Sequence, residues 1–165
     1  MSRAQCIVHR GAKVLLVKHR HEGCEWWCLP GGGIIDSESP TEAALRELAE
    51  ECQVSGQIAR QTSVVTYGPG DQHFTFLAEI GDQQPRLGHD PELAGSAPIL
   101  VDCRWLDLTE VPERDRAFLW TAGLLTVEPF ADLVLAWSDA VSYPADNRNR
   151  PPGSRSGLPS CDRVT

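Results

Sequence analysis

The stretch from Gly31 to Val54 constrains the fold of this 165-residue chain more than any other part. It begins with three glycines, Gly31–Gly33, and continues through a short acidic turn. Ser39–Glu42 then has the features of a helix start: a capping serine, a proline at the first helical position and a glutamate that completes a capping box. Apolar residues follow at helical spacing, at Leu45, Leu48 and Cys52. The sequence therefore predicts a glycine loop that leads into a helix packed on a core.

Three carboxylates share one face of this predicted helix, because Glu47, Glu50 and Glu51 are three and four residues apart. A solvated helix usually pairs such acids with lysine or arginine, since like charges repel. Hard divalent cations such as Mg²⁺ bind a few carboxylates together with substrate phosphate. Taken alone, the cluster favours a solvated acidic face. The glycines before it and the fixed spacing favour a metal site instead.

The same stretch resembles the Nudix box, G-x5-E-x7-R-E-U-x-E-E-x-G-U, in which U is an aliphatic residue. The matching positions are Gly32, Glu38, Arg46, Glu47, Leu48, Glu50, Glu51 and Val54. Six matching Gly, Glu and Arg positions would arise by chance less than roughly once in a million starts. Trp26–Pro30 is a typical lead-in to the box. Gln53 stands where the family usually has glycine, so we expect an altered loop exit beside an intact acidic cluster.

The rest of the chain predicts strands on both sides of the helix. The predicted strands are Ala4–His9, Lys13–His19, Trp26–Leu29, Gln57–Tyr67, Phe74–Ile80 and Ile99–Leu106. Later helices are predicted at Glu113–Leu125 and Glu128–Trp137, a polar loop at His19–Glu25 and a long loop at Gly81–Pro98. This order indicates an α/β fold. The resemblance implies the same class, a Nudix-type α/β/α sandwich around a mixed sheet.

We predict one domain over residues 1–140 and a disordered tail over residues 141–165. The tail has paired prolines, little apolar content and no periodic pattern. The resemblance itself extends loosely from residue 3 to about residue 125.

The family resemblance implies a hydrolase that acts on phosphoric anhydride bonds, with a nucleoside diphosphate linked to another moiety as its small-molecule substrate. By resemblance, Glu47, Glu50 and Glu51 bind Mg²⁺, with Mn²⁺ as an alternative, and the backbone carbonyl of Gly32 adds a ligand. Arg46 would orient a box carboxylate rather than contact substrate. Metal ions suit this reaction because they neutralise phosphate oxygens and lower the pKa of bound water.

The sequence leaves two candidates for the catalytic base, a box glutamate and an acid from a later loop. Some family members use a box glutamate, here Glu47 or Glu50, and others use an acid from a later loop. In this chain the long loop contains His89, Asp90 and Glu92, and Glu92 resembles the loop acid best. A base must come within about 3 Å of the attacking water, which a loop can achieve on closure. The alternative for Glu92 is a solvent-exposed acid.

Substrate contacts are predicted beside the acidic cluster. The backbone of Gly31 and Gly33 would approach metal or phosphate, and Lys18 and Arg20 either meet phosphates or remain solvated. Four aromatic residues either stack on a base or belong to the core: Trp26, Trp27, Tyr67 and Phe74. Pro69 lies where the ADP-ribose-hydrolysing subgroup carries a proline, although an ordinary Gly-Pro-Gly turn explains it equally well.

The charge and composition of the chain limit the kinds of partner that it can bind. The net charge of −8 and the pI near 5.0 disfavour a nucleic-acid groove or an anionic membrane surface. No apolar run reaches the roughly 18–20 residues of a membrane span, and no signal peptide is evident. Six scattered cysteines are typical of reduced thiols. We therefore expect a cytoplasmic protein without nucleic-acid or membrane partners, and a homodimer stays open.

Two alternatives to an enzyme remain. One is a non-catalytic nucleotide-sensing module on the same fold, and the other is a plain α/β interaction domain. Neutral residues in place of the box glutamates would favour the sensing module, but all three glutamates are present. The sequence therefore favours the hydrolase, with nucleoside triphosphates, ADP-ribose and nucleotide sugars as substrate candidates.

Overall fold

Eight strands form two four-stranded sheets in the computed structural model, which describes residues 1–35, 37–89 and 100–135. The strands are β1 (Arg3–Ile7), β2 (His9–Arg10), β3 (Lys13–His21), β4 (Cys24–Cys28), β5 (Gly31–Gly33), β6 (Gln57–Gly68), β7 (Asp71–Glu79) and β8 (Leu100–Asp107). One sheet has the order β5-β1-β7-β6, and the other joins β2, β3 and β4 with β8 paired to β3. Because β1 and β7 are parallel and the other pairs are antiparallel, the first sheet is mixed.

Helices cover both sides of these sheets, and the predicted α/β class is confirmed. They are α1 (Pro40–Cys52), α2 (Glu113–Thr121) and α3 (Phe130–Leu135), with 3₁₀ turns at Leu108–Glu110 and Leu124–Thr126. Successive residues of β1 point to opposite faces. Ala4 and Cys6 belong to the core under α1, whereas Ile7 belongs to the core that contains Trp120 and Phe130.

The box helix begins and ends as its residues dictate. The Ser39 side chain accepts a hydrogen bond from the Glu42 backbone, and the Glu42 carboxylate accepts one from the Ser39 N–H at 2.8 Å. The predicted capping box is therefore confirmed. Gln53 ends the helix in the left-handed region, at φ 55° and ψ 38°, a conformation that glycine adopts more easily.

Two local predictions before the helix are wrong. The glycines form strand β5 rather than a turn, because they pair with β1 in the register Gln5↔Gly31 and Arg3↔Gly33. The predicted loop at His19–Glu25 is shorter, since β3 continues to His21 and β4 starts at Cys24. Cross-strand pairs stabilise this extension of the hairpin, including ion pairs of Lys18 and Arg20 with Glu25.

Later elements also differ from the prediction. Helix α2 ends at Thr121 instead of continuing to residue 125, because Gly123 takes a φ of 83° that a helix does not allow. The second half of the long loop lies outside the described residues, as do the domain boundary at residue 140 and the tail 141–165.

The described residues test two expectations, that the cysteines are reduced and that no helix spans a membrane. Cys6, Cys28, Cys52 and Cys103 carry free thiols. Cys24 is disulfide-bonded, so the expectation that every cysteine is reduced is wrong for this residue. Among the helices that the structure describes, none is long and apolar enough to cross a membrane.

Candidate active site

The glycine strand β5 lies directly against the acidic face of α1. The Gly31 N–H donates to the Glu51 carboxylate at 2.9 Å. A Cβ at Gly32 would overlap the Glu47 carboxylate, and one at Gly31 would overlap Ala4 and Gln5 of β1. Glycine is therefore required at Gly31, where β1 approaches the backbone too closely for a side chain, whereas a side chain at Gly32 would displace the Glu47 carboxylate.

Arg46 joins the acidic cluster to the glycine strand. Its Nε donates to Glu38 Oε1 at 2.9 Å, and its Nη2 donates to the Gly33 carbonyl at 2.9 Å. Its Nη1 donates to Glu47 Oε1 at 2.9 Å and to Glu50 Oε2 at 3.0 Å. One guanidinium thus fixes three carboxylates and one backbone carbonyl, which is the geometry that an orienting role requires.

The cluster concentrates negative charge in a buried place. Glu47 is 3% exposed and Glu51 is 1% exposed. Burial raises the pKa of Glu47 to about 7; Arg46 opposes this shift, while Glu51 and Glu50 add to it. His19 Nε2 lies 3.4 Å from Glu51 Oε1 and has no hydrogen-bond partner among the described residues.

The donor set fits a hard divalent cation. Three carboxylates, those of Glu38, Glu47 and Glu50, share the Arg46 guanidinium, and the Glu51 carboxylate accepts from the Gly31 N–H, so the cluster holds more carboxylates than guanidinium groups. In residues 1–35, 37–89 and 100–135, no three acidic, histidine or cysteine side chains are arranged around a metal-sized gap. Arg46 lies between Glu47 and Glu50, and Glu51 faces Gly31. Ion binding therefore requires rotation of these side chains rather than a change of backbone.

Metal-free protein is expected to lose stability as the pH rises from about 5 to about 8. The folded pKa of Glu47, about 7, lies above its ordinary value of 4.5, so the folded chain holds the proton more tightly than the unfolded chain. The resulting stabilisation is fully present below the unfolded pKa and is lost as the pH rises through the folded pKa. Melting temperatures measured in chelator should show this fall. Glu47→Gln should flatten this fall, whereas Glu79→Gln, which changes an exposed residue at the end of β7, should not. Equal slopes in all three proteins would contradict the assignment.

The predicted phosphate contacts Lys18 and Arg20 do not join this cluster. Side chains alternate along β3, so they point away from the face on which His19 meets Glu51. Lys18 Nζ and Arg20 Nε both lie 2.7 Å from the Glu25 carboxylate, so both cations already have an ion-pair partner. His19 was missed as a neighbour of the box because it lay at the boundary between the predicted strand Lys13–His19 and the predicted loop His19–Glu25. Its position in the paired strand depends on the long-range contact with β8.

The loop acid Glu92 and the neighbouring Asp90 lie outside the described residues. The last described residue of that loop, His89, donates its backbone N–H to the Glu50 carbonyl at 3.1 Å. The described part of the loop that precedes the candidate base therefore contacts the helix that carries the acidic cluster.

Burial separates the four candidate stacking residues. The Trp26 ring stacks on the His19 ring, with 5.7 Å between the ring centroids. Trp27 packs against the core that contains residues of α2, and Phe74 packs against the core that contains residues of α1. Tyr67 is 41% exposed and meets the His73 ring edge-on at 4.6 Å.

Tyr67 lines an open pocket that the sequence did not reveal. The other lining residues are Gln5, Ser63, Val65, His73, Thr75, Phe118, Thr121 and Ala122. The Ser63 hydroxyl is buried there and has no hydrogen-bond partner in the described part of the chain. Gln5, which donates to the Thr75 hydroxyl at 2.9 Å, is paired with Gly31 across β1 and β5. The available signal was a polar residue, Gln5, among the apolar residues of the predicted strand Ala4–His9.

This chain is similar to known proteins in sequence and in structure. A model of the NUDIX domain matches residues 1–125. The chain is 30% identical over 111 residues to Phosphatase NudJ of Escherichia coli strain K12, covering 64% of this chain and 67% of that protein. A NUDIX hydrolase structure from Nitrosomonas europaea has a TM-score of 0.56 at 24% identity, covering 69% of this chain and 61% of the other. A C. elegans Ap4A hydrolase structure has a TM-score of 0.59 at 16% identity, covering 82% and 98%. The two structural matches show a common fold.

Proposed function

This chain belongs to the Nudix family of hydrolases, which act on phosphoric anhydride bonds, and we propose that it hydrolyses the diphosphate bond of a nucleoside diphosphate linked to another moiety. The observation that carries the proposal is the buried acidic cluster against a strand without side chains. Burying several carboxylates beside one guanidinium is costly unless a cation joins them. A substrate with anionic phosphates would then meet the cation at the glycine strand.

The residues have separate roles in this proposal. Glu47, Glu50 and Glu51 would hold Mg²⁺ or Mn²⁺, with the Gly32 carbonyl beside them. When bound, the ion neutralises phosphate oxygens and lowers the pKa of a bound water. Arg46 keeps the carboxylates in place through its four contacts. The base stays a prediction, between a box glutamate and Glu92.

Substrate choice requires a direct screen, since the names of the relatives differ: one is called a phosphatase and another an Ap4A hydrolase. Product release should be measured over nucleoside triphosphates, ADP-ribose, nucleotide sugars and dinucleoside polyphosphates, each with Mg²⁺ and with Mn²⁺. We expect turnover of at least one class, its loss in chelator and its return when metal is added back. Nucleotide binding without turnover of any class would favour the sensing module instead.

The Tyr67 pocket is the proposed place for the nucleoside base. The exposed Tyr67 ring and the Ser63 hydroxyl, which has no partner among the described residues, line the same pocket and offer a stacking face and a hydrogen-bonding group. Gln5 lines this pocket and pairs with Gly31, so one wall of the pocket lies next to the glycine strand, on the face of β1 opposite to α1. A phosphate chain would cross the glycine strand between the pocket and the acidic cluster.

Tyr67→Ala should raise KM about tenfold, because base stacking contributes roughly 1–3 kcal/mol, and should leave kcat nearly unchanged. Tyr67→Phe keeps the ring and should behave like the wild type. Steady-state kinetics on the best substrate of the screen provide the measurement. An unchanged KM in Tyr67→Ala would place the base elsewhere.

A further inference from the structure

Residues 86–89 lie against the C-terminal end of α1 and are called the clasp here. The Arg86 N–H donates to the Cys52 carbonyl at 2.9 Å, and the Gly88 N–H donates to the backbone carbonyl of Glu51 at 2.8 Å. The His89 N–H donates to the backbone carbonyl of Glu50 at 3.1 Å. The last carbonyls of a helix have no partner within the helix. Here a distant segment of the chain supplies three of them with donors.

Gln53 ties the clasp to the helix through its side chain. Its Nε2 donates to the Leu87 carbonyl at 3.1 Å, in the middle of the clasp. The residue achieves this from a left-handed backbone, at φ 55°, that glycine would adopt with less strain. Glycine, the usual residue of the box at this position, has no side chain with which to make this bond.

Gly88 fits the clasp to the helix from the other side. A Cβ at this position would overlap the Glu50 carbonyl and approach the Glu51 carbonyl carbon. The backbone of the clasp therefore lies in direct contact with the backbone of two residues that carry box carboxylates.

We propose that Gln53 is a positioning residue that keeps the clasp on the last turn of α1 and thereby holds Glu50 and Glu51 in place for metal and substrate. The proposal rests on the proposed hydrolase function. The Glu51 carboxylate is fixed at its outer end by Gly31, and its backbone carbonyl is fixed by the clasp. Without the clasp, the last turn would exchange these bonds for water and fray, since helix ends depend on such partners.

Two variants of Gln53 test this directly. Gln53→Gly removes the side chain and relieves the left-handed backbone, whereas Gln53→Glu keeps the length but cannot donate to the Leu87 carbonyl. In both we expect hydrogen exchange at the Gly88 and His89 amides to accelerate about tenfold, the range of one net hydrogen bond. We expect kcat to fall and the Kd for Mn²⁺ to rise by a factor of about three to ten over the same range. KM for substrate should change little.

The melting temperature separates positioning from general stability. Gln53→Gly should melt at or above the wild-type temperature, since relief of strain offsets the lost bond, while its kcat and Mn²⁺ affinity decline. Gly88→Ala should change exchange, kcat and Mn²⁺ affinity in the same direction by displacing the clasp. Unchanged exchange at Gly88 and His89 in Gln53→Gly would overturn the proposal, as would fast exchange with unchanged Mn²⁺ affinity and kcat. If the wild type cleaves nothing in the screen, the proposed function fails, while exchange and Mn²⁺ affinity still decide the role of Gln53.

Discussion

Turnover is expected to fall about a hundredfold or more in Glu51→Gln and in Glu50→Gln, the scale on which single catalytic groups act. Glutamine keeps the length and shape of each side chain and removes one negative charge. In Glu51→Gln the amide oxygen still accepts from the Gly31 N–H, so the glycine strand stays in place. In Glu50→Gln the amide oxygen still accepts from Arg46. The loss should therefore lie in metal binding and chemistry rather than in folding.

The test compares kcat at saturating substrate across a Mg²⁺ titration, together with the melting temperature of each variant. Glu79→Gln, which removes a carboxylate from the exposed end of β7, is the matched control and should keep its activity. Wild-type turnover in both Glu50→Gln and Glu51→Gln would refute the assignment of these carboxylates to the metal.

Removal of the Arg46 guanidinium should cause a large loss of stability. Arg46→Met removes the guanidinium donor from Glu47 and the Gly33 carbonyl and leaves Glu38 with the Ile35 N–H, and Glu47 is almost fully buried. Breaking such a pair strands a charge, so we expect the free energy of unfolding in metal-free buffer to fall by about 3 kcal/mol. Mg²⁺ should recover part of this loss, because a bound cation supplies the missing positive charge.

Urea unfolding with and without Mg²⁺ measures both effects. Arg20→Met is the matched control: Arg20 is an exposed partner of Glu25, and its removal should cost at most about 1 kcal/mol with no Mg²⁺ dependence. Arg46→Lys should lie in between, since an ammonium cannot reach all four acceptors. A loss below about 1 kcal/mol in Arg46→Met would show that the network contributes little to folding.

Local chemistry predicted the box helix well, because its signals lie within a few residues of one another. Ser39, Pro40 and Glu42 specify the helix start without help from the rest of the chain. The spacing of Glu47, Glu50 and Glu51 likewise defines a shared face, and Arg46 lies next to it. The contacts of Arg46 with Glu38 and Gly33 required the folded loop.

Features that depend on distant strands were not predictable from local pattern. Three successive glycines indicate a turn unless β1 is known to lie beside them. Lys18 and Arg20 could be placed only once the register of β3 with β4 and β8 was known, because that register decides the face to which each side chain points. Tyr67 could not be distinguished from Trp26, Trp27 and Phe74 without their burial.

Strand β5 is an edge strand of its sheet, and this position affects the tendency of the protein to aggregate. Exposed strand edges carry unpaired N–H and C=O groups that recruit strands from other molecules and so promote aggregation. Here three of these groups are bound by side chains: Glu51 accepts from the Gly31 N–H, Arg3 donates to the Gly31 carbonyl, and Arg46 donates to the Gly33 carbonyl. Two of the three also belong to the acidic site. Residues of the acidic cluster therefore also cover part of a sheet edge, and we expect a variant that removes them to expose an edge to which another chain can pair.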